Sequence, residues 1–160
     1  MSLKLTALII SVFIIGFVSS SMLHGVDFAS GAPVVSGTER ISPGNHIKEH
    51  QIKVYDDRVE LAVSGVEWAR FTDTNSMDPF LDKGANALQF VPESPEQIDK
   101  GDIISYRKPE SSNRVIHRVV YKGEDDQGVY FIVKGDNNAV SDPGKIRFDQ
   151  IERVLFGIIY

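Results

Sequence analysis

A serine, a histidine and two aspartates in the second half of the sequence have the side-chain types that serine-catalysed hydrolysis needs. Ser76 lies in TDTNSMDPF, His117 in NRVIHRVV, and Asp136 and Asp142 in KGDNNAVSDPGK. A serine hydroxyl is a poor nucleophile until a base takes its proton, and histidine can do so near neutral pH. A nearby carboxylate orients the imidazole and stabilises its protonated form. This chain order is compatible with a triad, but spacing alone does not choose between the two aspartates.

Each of these segments also has a purely structural explanation. The density of Gly, Asp, Asn and Pro in KGDNNAVSDPGK predicts tight turns with side-chain to backbone hydrogen bonds. His117 would share one face of a strand with Val115 and Val119, where a hydrogen-bonded core histidine is the ordinary outcome. The catalytic interpretation therefore requires the fold to bring the three segments together.

Another histidine-containing segment, HIKEH, has the form of a metal-binding motif. His46, Glu49 and His50 match H-x-x-E-H, which requires both imidazoles on one face of a helix. The segment follows SPG and runs directly into QIKVY, so we interpret it as the approach to a strand. No metal or other cofactor is predicted. A fourth histidine, His24, marks the end of an apolar run.

Short β-strands are the elements that must position these residues. Two β-rich runs around Asp56 and Asp57 predict a hairpin over residues 52–63. Further strands are predicted at residues 67–71, 87–91, 103–106, 115–121, 129–133 and 154–159. No long amphipathic helix interrupts them. The expected fold is a mainly β domain with a folded-over or barrel-like sheet.

Composition limits the classes of function. The chain has 160 residues, enough for one domain with a core, and a formal net charge of −5. That acidic balance gives no basic field to gather phosphates, so no nucleic-acid partner is expected. The sequence contains no cysteine, which excludes disulfides, thiolate nucleophiles and cysteine-based zinc sites.

The N-terminal segment predicts export. Residues 5–23 carry no charge and are long enough to span a bilayer, which needs about 20 apolar residues. A cleaved signal peptide is the alternative. Lys4 favours a cytoplasmic end at residues 1–4 and a body on the extracytoplasmic side. A composition rich in glycine, alanine, serine and proline predicts a linker at 24–45, followed by a catalytic domain at 46–160. The expected location is the cell membrane, with one span in the lipid bilayer.

Four segments taken together resemble a known family. NSMDP, GDIISY, VIHRVV and KGDNNAVSDPG are similar, in the same order, to the sequence boxes of type I signal peptidases. They most resemble the archaeal and endoplasmic-reticulum branch, whose base is histidine rather than lysine. The resemblance covers roughly residues 71–160. It implies a membrane-anchored serine endopeptidase that removes signal peptides from exported preproteins through an acyl-enzyme, with small side chains near the cut.

The resemblance also implies roles for individual residues. Ser76 corresponds to the nucleophile and His117 to the base. Asp142, six residues after Asp136, matches the acid of the triad, and Asp136 matches a supporting aspartate. Thr74 lies where the family has a hydroxyl residue associated with the oxyanion hole.

Three neighbouring positions complete the expected site. Asn75 stands where the family usually has glycine, and asparagine tolerates positive φ, so the turn is expected to form with a narrower cleft. Met77 and Phe80 are expected to be apolar walls of the site or membrane-facing surface, with core packing as the ordinary alternative.

Two other functions are compatible with the sequence. A self-cleaving peptidase of the SOS-repressor type shares the fold and the SM box, but it uses a lysine base and usually carries a DNA-binding domain. An inactive exported β-domain that binds peptides is the second alternative. The sequence does not indicate which preproteins are cut or whether partner subunits are needed.

Overall fold

The computed structural model describes residues 41–108 and 113–160. The predicted cytoplasmic end, the apolar run at 5–23 and most of the linker at 24–45 lie outside the described residues. Within the two described ranges, no helix is both long and apolar enough to cross a bilayer.

The described residues form nine β-strands and three short 3₁₀ turns. Two strands, β1 (Ile52–Val54) and β2 (Val59–Leu61), pair as the predicted hairpin. The other seven are β3 (Val66–Arg70), β4 (Asn86–Phe90), β5 (Ile103–Arg107), β6 (Arg114–Asp125), β7 (Gly128–Lys134), β8 (Ile146–Arg147) and β9 (Ile151–Ile159). The 3₁₀ turns are Glu49–Gln51, Pro95–Gln97 and Phe148–Gln150. The prediction of a mainly β domain is therefore confirmed.

The seven strands form one antiparallel sheet in the order β3-β4-β9-β5-β6-β7-β8. The last strand of the chain, β9, lies between β4 and β5, so the C-terminus holds the two halves of the sheet together. The first and last strands of this order, β3 and β8, do not pair with each other. In the described part of the chain the sheet is thus not a hydrogen-bonded closed barrel, while the folded-over form stays a prediction.

Hydrophobic side chains are buried on both faces of the sheet. On β5, Ile103 belongs to one buried cluster and Ile104 to another, and on β9 Leu155 and Val154 divide in the same way. Because successive residues of a strand point to opposite faces, the two clusters lie on opposite sides of the sheet. The central strands are therefore shielded from water on both sides, which fixes their register.

The segment before the hairpin is bound to the start of β5. The carboxylate of Asp102 is fully buried and accepts hydrogen bonds from the Gly44 amide at 2.7 Å and the Asp99 amide at 2.8 Å. His46 Nε2 lies 2.9 Å from the same carboxylate. A 3₁₀ turn then leads into β1, so HIKEH is the approach to a strand, as predicted, and does not lie on an α-helix.

Gly101 allows this segment to approach. Its φ of +107° lies in a region that favours glycine, and a Cβ at this position would overlap the carbonyl oxygen of Ser42. Gly84 has a similar φ of +99° but open space around the equivalent position. The two glycines therefore both require a positive φ, but only Gly101 lies in close contact with another segment.

We expect Gly101→Ala to destabilise the protein more than Gly84→Ala. Both substitutions introduce backbone strain, but only the first also displaces the segment at Ser42, at a further cost of about 2 kcal/mol. Urea denaturation of the two variants measures the difference in the free energy of unfolding. Equal losses would show that the contact with Ser42 does not contribute to stability.

Candidate active site

The turn that carries Ser76 lies between β3 and β4 and is anchored in the core. Met77 is 2% exposed, and its carbonyl oxygen accepts the amides of Phe80 and Leu81, both at 3.1 Å. Asn75 has a φ of +56°, the left-handed conformation that asparagine tolerates better than most residues. The turn thus forms with asparagine at the position where glycine is usual in the family that the sequence resembles.

The Ser76 side chain lies at the surface of this turn. Its hydroxyl is 3.3 Å from the hydroxyl of Thr74, and either oxygen can donate. The Ser76 carbonyl accepts the Asn137 amide at 3.0 Å, and Asn137 Nδ2 donates to the Asn75 carbonyl at 2.9 Å. The loop at residues 135–138, GDNN, therefore binds the backbone carbonyls of the serine turn. The hydroxyls of Ser76 and Thr74 stay free to interact with each other.

Gly135 makes the close approach of these two loops possible. A Cβ on Gly135 would lie 2.5 Å from the Ser76 carbonyl oxygen, closer than real Cβ contacts allow. Arg118 of β6 pairs with Lys134 of β7, so the next pair along the ladder would place His117 level with Gly135. The serine turn and the histidine are thus adjacent to the same short piece of chain.

His117 is buried, with 5% of its surface exposed, and it contacts the predicted acid. Its Nδ1 lies 2.9 Å from Oδ1 of Asp142. The separation is that of a hydrogen bond, but the two groups are not aligned for one, and the contact becomes an ion pair only when the imidazole is protonated. The structure therefore brings together the histidine and one of the two candidate aspartates.

The other oxygen of Asp142 has two partners of its own. The Tyr106 hydroxyl donates to Oδ2 in a short hydrogen bond, and Lys108 Nζ lies 3.1 Å from the same atom. Burial acts to raise the pKa of Asp142, but the hydrogen bonds from Tyr106 and Lys108 and the charge of His117 outweigh it and hold the pKa below its ordinary value. Asp142 is therefore a carboxylate at neutral pH.

Asp136 has a different partner. Its carboxylate forms a two-pronged ion pair with Arg118, at 2.7 and 2.6 Å, and its amide contacts Met77 Sδ at 3.4 Å. Arg118 also donates to the Gly101 carbonyl at 2.8 Å. Asp136 thus connects the serine turn to the start of β5 and does not contact the ring of His117.

Burial has the largest effect on the pKa of His117. It lowers the pKa of the imidazole, the charges of Asp142 and Asp136 raise it, and the charge of Lys108 lowers it, so the pKa lies below its ordinary value. The neutral ring is the form that accepts a proton, so His117 is in the state required of a base at neutral pH.

The Ser76 hydroxyl and the His117 ring are not hydrogen-bonded to each other in the described part of the chain. The hydroxyl interacts with Thr74 instead. In structures without substrate, catalytic hydrogen bonds are often long and form only in the reacting complex. The structure therefore shows a serine pair and a histidine–aspartate pair on neighbouring loops, with the contact between the pairs not made.

A cleft of about 400 Å³ opens beside Ser76. Ser76, Thr74 and Met77 line it together with apolar residues such as Phe71 and Ile116. Met77 is therefore both a core residue and a wall of the cleft. Phe80, which was expected to have a similar place, is 51% exposed and lines a different cavity, next to residues 41–47.

Two polar residues in the same cleft were not predicted from the sequence. Gln89 and Ser105 are both 2% exposed, and Gln89 Nε2 donates to Ser105 Oγ at 2.7 Å. Their signal in the sequence is a polar residue on the buried face of a strand, as in Ala87–Leu88–Gln89, but it does not identify the partner. In the described ranges no three His, Asp or Glu side chains converge to hold a metal ion.

Comparison with known proteins gives partial matches. The chain is 33% identical over 63 residues to the signal peptidase complex catalytic subunit sec11 of Schizosaccharomyces pombe, covering 37% of this chain and 33% of that protein. It is 49% identical over 39 residues to an uncharacterised protein of Methanocaldococcus jannaschii, covering 24% of this chain and 19% of that protein. The chain thus spans about a third of the length of the Schizosaccharomyces subunit and about a fifth of the length of the Methanocaldococcus protein.

No protein-family model matches the chain, and no solved structure matches it significantly. The similarity to a signal peptidase subunit relates the chain to that class of peptidase. The particular branch of the family, the serine mechanism and the roles of single residues stay predictions.

Substitutions of Asn75 test the turn that presents Ser76. We expect Asn75→Gly to be as stable as the wild-type protein, because glycine adopts positive φ without strain. Asn75→Ala is expected to lower the free energy of unfolding by about 1 kcal/mol, since alanine has no polar side chain to compensate the left-handed conformation. Urea denaturation of both variants measures this order. Greater stability of the alanine variant would contradict the assigned backbone conformation.

Proposed function

We propose that the chain is a serine endopeptidase that removes N-terminal signal peptides from exported preproteins. The observation that carries the proposal is the 2.9 Å contact between His117 and Asp142 next to the loop that holds the carbonyl of Ser76. The partial similarity to a signal peptidase catalytic subunit supports it. Burial adds further support, because it favours the neutral imidazole that a general base requires.

In the proposed acylation step, Ser76 Oγ attacks the carbonyl carbon of the scissile peptide bond. His117 takes the hydroxyl proton as the bond forms and then gives it to the leaving amine. Asp142 stays ionised and stabilises the imidazolium between these transfers. His117 then takes a proton from a water molecule as that water attacks the acyl-enzyme. This step releases the signal peptide and restores the Ser76 hydroxyl.

The developing oxyanion needs donors that are already in place. We assign the backbone N–H of Ser76 and the hydroxyl of Thr74 to this role, each worth about 3 kcal/mol in comparable sites. In the free protein the Thr74 hydroxyl lies 3.3 Å from Ser76 Oγ. A rotation of the Ser76 side chain towards His117 would free Thr74 to donate to the substrate.

The cleft beside Ser76 would accept the residues that precede the cut. Its walls are apolar, and the buried pair of Gln89 and Ser105 adds a polar element. An extended substrate segment with small side chains is what the family resemblance implies. In this proposal the apolar run at 5–23 anchors the domain at a lipid bilayer, with the catalytic domain on the extracytoplasmic side.

The alternatives predict different chemistry at the same residues. A self-cleaving peptidase of the SOS-repressor type would use a lysine where this chain has His117. A domain that only binds peptides has no need for a carboxylate held against a buried imidazole. The contact between His117 and Asp142 therefore favours the signal peptidase proposal over both.

Replacement of Ser76 tests the nucleophile. Ser76→Ala is expected to lower the rate of preprotein cleavage by about a thousandfold or more, because the attacking oxygen is lost, while the protein stays folded. Ser64→Ala, an exposed serine in the loop before β3, serves as the matched control and should cleave at the wild-type rate. Cleavage of a co-expressed preprotein is the measurement. Unchanged cleavage by Ser76→Ala would show that another residue is the nucleophile.

Replacement of the two aspartates tests which one is the acid. We expect Asp142→Ala to lose more activity per folded molecule than Asp136→Ala, since only Asp142 contacts His117. Asp136→Ala is instead expected to lower the free energy of unfolding by about 3 kcal/mol, because it leaves Arg118 without its partner. Cleavage rates and urea denaturation separate the two effects. Equal or reversed losses of activity would contradict the assignment.

A further inference from the structure

The two oxygens of the Asp142 carboxylate have different partners. Oδ1 faces Nδ1 of His117 at 2.9 Å, and Oδ2 is held by the Tyr106 hydroxyl and by Lys108 Nζ at 3.1 Å. The side chain of Asp142 is 7% exposed, so water cannot replace these partners freely. A carboxylate bound in this way cannot rotate without breaking its contacts on the far side from the imidazole.

Strand β5 and the residue that follows it supply the two groups that hold Oδ2. Tyr106 lies within β5, Lys108 comes directly after its last residue Arg107, and both side chains reach the same oxygen of Asp142. Tyr106 is fully buried in the core cluster with Phe131 and Val133, and its ring centre lies 6.5 Å from that of His117. The phenol is thus a rigid donor fixed by packing. Lys108, with 39% of its side chain exposed, is a cation at the rim of the site.

The two partners differ in what they do to His117. The phenol is neutral, and burial first and the hydrogen bond to Asp142 second raise its pKa, so it stays a donor. Lys108 brings a positive charge, which offsets the charge of Asp142 as seen from the imidazole. Among the described residues, the charge of Asp136 also raises the pKa of His117, and Asp136 is itself paired with Arg118.

We propose that Tyr106 and Lys108 are positioning residues of the peptidase: Tyr106 orients the triad acid, and Lys108 keeps the base neutral in mildly acidic surroundings. This inference rests on the proposed function, because it treats Asp142 and His117 as the acid and the base. Lys108 weakens the support that Asp142 gives to protonated His117. The cleavage reaction therefore extends to lower pH than an isolated histidine–aspartate pair would permit.

The experiment compares Lys108→Met and Tyr106→Phe with wild type. Lys122→Met is the matched control, since Lys122 is a partly exposed lysine that pairs with Asp99 away from His117. Two readouts are taken on the full chain: the midpoint of the His117 imidazole titration by NMR, and the pH profile of kcat/KM for a preprotein peptide. Thermal unfolding identifies any variant that is not folded.

For Lys108→Met we expect the His117 titration and the acid limb of kcat/KM to move to higher pH together, by about half a pH unit or more. Loss of the cation lets Asp142 stabilise the imidazolium more strongly. The ring then loses its proton, and becomes active as a base, only at a higher pH. Lys122→Met should leave both readouts where they are in wild type. An unchanged or lowered midpoint in Lys108→Met would overturn the role of Lys108.

For Tyr106→Phe we expect kcat to fall about tenfold with KM unchanged, because the acid loses a hydrogen bond but the substrate cleft is intact. A change in KM alone, or no change in kcat in a folded variant, would overturn the role of Tyr106. The NMR titration does not depend on turnover. If it moves as expected while no protein cleaves the peptide, the electrostatic role stands and the proposed function fails; if Ser76→Ala abolishes cleavage but neither variant alters either readout, only this inference fails.

Discussion

The buried charge of Asp142 is the constraint around which the candidate site is arranged. A carboxylate with 7% exposure at the edge of a hydrophobic core is costly unless its oxygens are paired. Here the imidazole of His117 faces one oxygen, and Tyr106 and Lys108 satisfy the other. Removal of any partner would leave charge in a poorly solvated place. The same contacts that stabilise the charge also fix the direction in which the carboxylate faces the histidine.

This arrangement depends on the sheet. His117 lies on β6 and is paired with Ile104 of β5, and the burial of both faces of the central strands prevents a slip in register. The loop after β7 then brings Asp142 back to the imidazole and holds the carbonyl of Ser76. The ion pair of Arg118 with Asp136 ties this loop to the start of β5. A serine on a turn and a histidine on a strand are thereby kept adjacent by backbone contacts.

Much of this fold follows from local patterns in the sequence. The six longer strands and the first hairpin were predicted from β-branched and aromatic runs separated by turn residues, and all are observed with shifts of a few residues at their ends. The two-residue strand β8 was missed, because it is too short for any period and follows the turn residues of SDPGK. HIKEH was correctly interpreted as the approach to a strand.

The contact partners of the candidate site residues could not be predicted from the sequence. The residues themselves were proposed from their chemistry and from the family resemblance, but the contacts of Asp142 with Tyr106 and of Asp136 with Arg118 join positions 36 and 18 residues apart. Such pairs depend on strand order, which no local pattern encodes. Gln89 carried a partial signal, since a polar residue on an otherwise buried face requires a partner.

The central claim is that Ser76 is a nucleophile activated by His117, and covalent trapping tests it most directly. The protein is mixed with a peptide ester whose acyl part ends in alanine, and the acyl adduct is located by tandem mass spectrometry. We expect the adduct on Ser76 in the wild-type protein, and formation slower by about a thousandfold in His117→Asn. An adduct on another residue, or equal rates in the two proteins, would contradict the account.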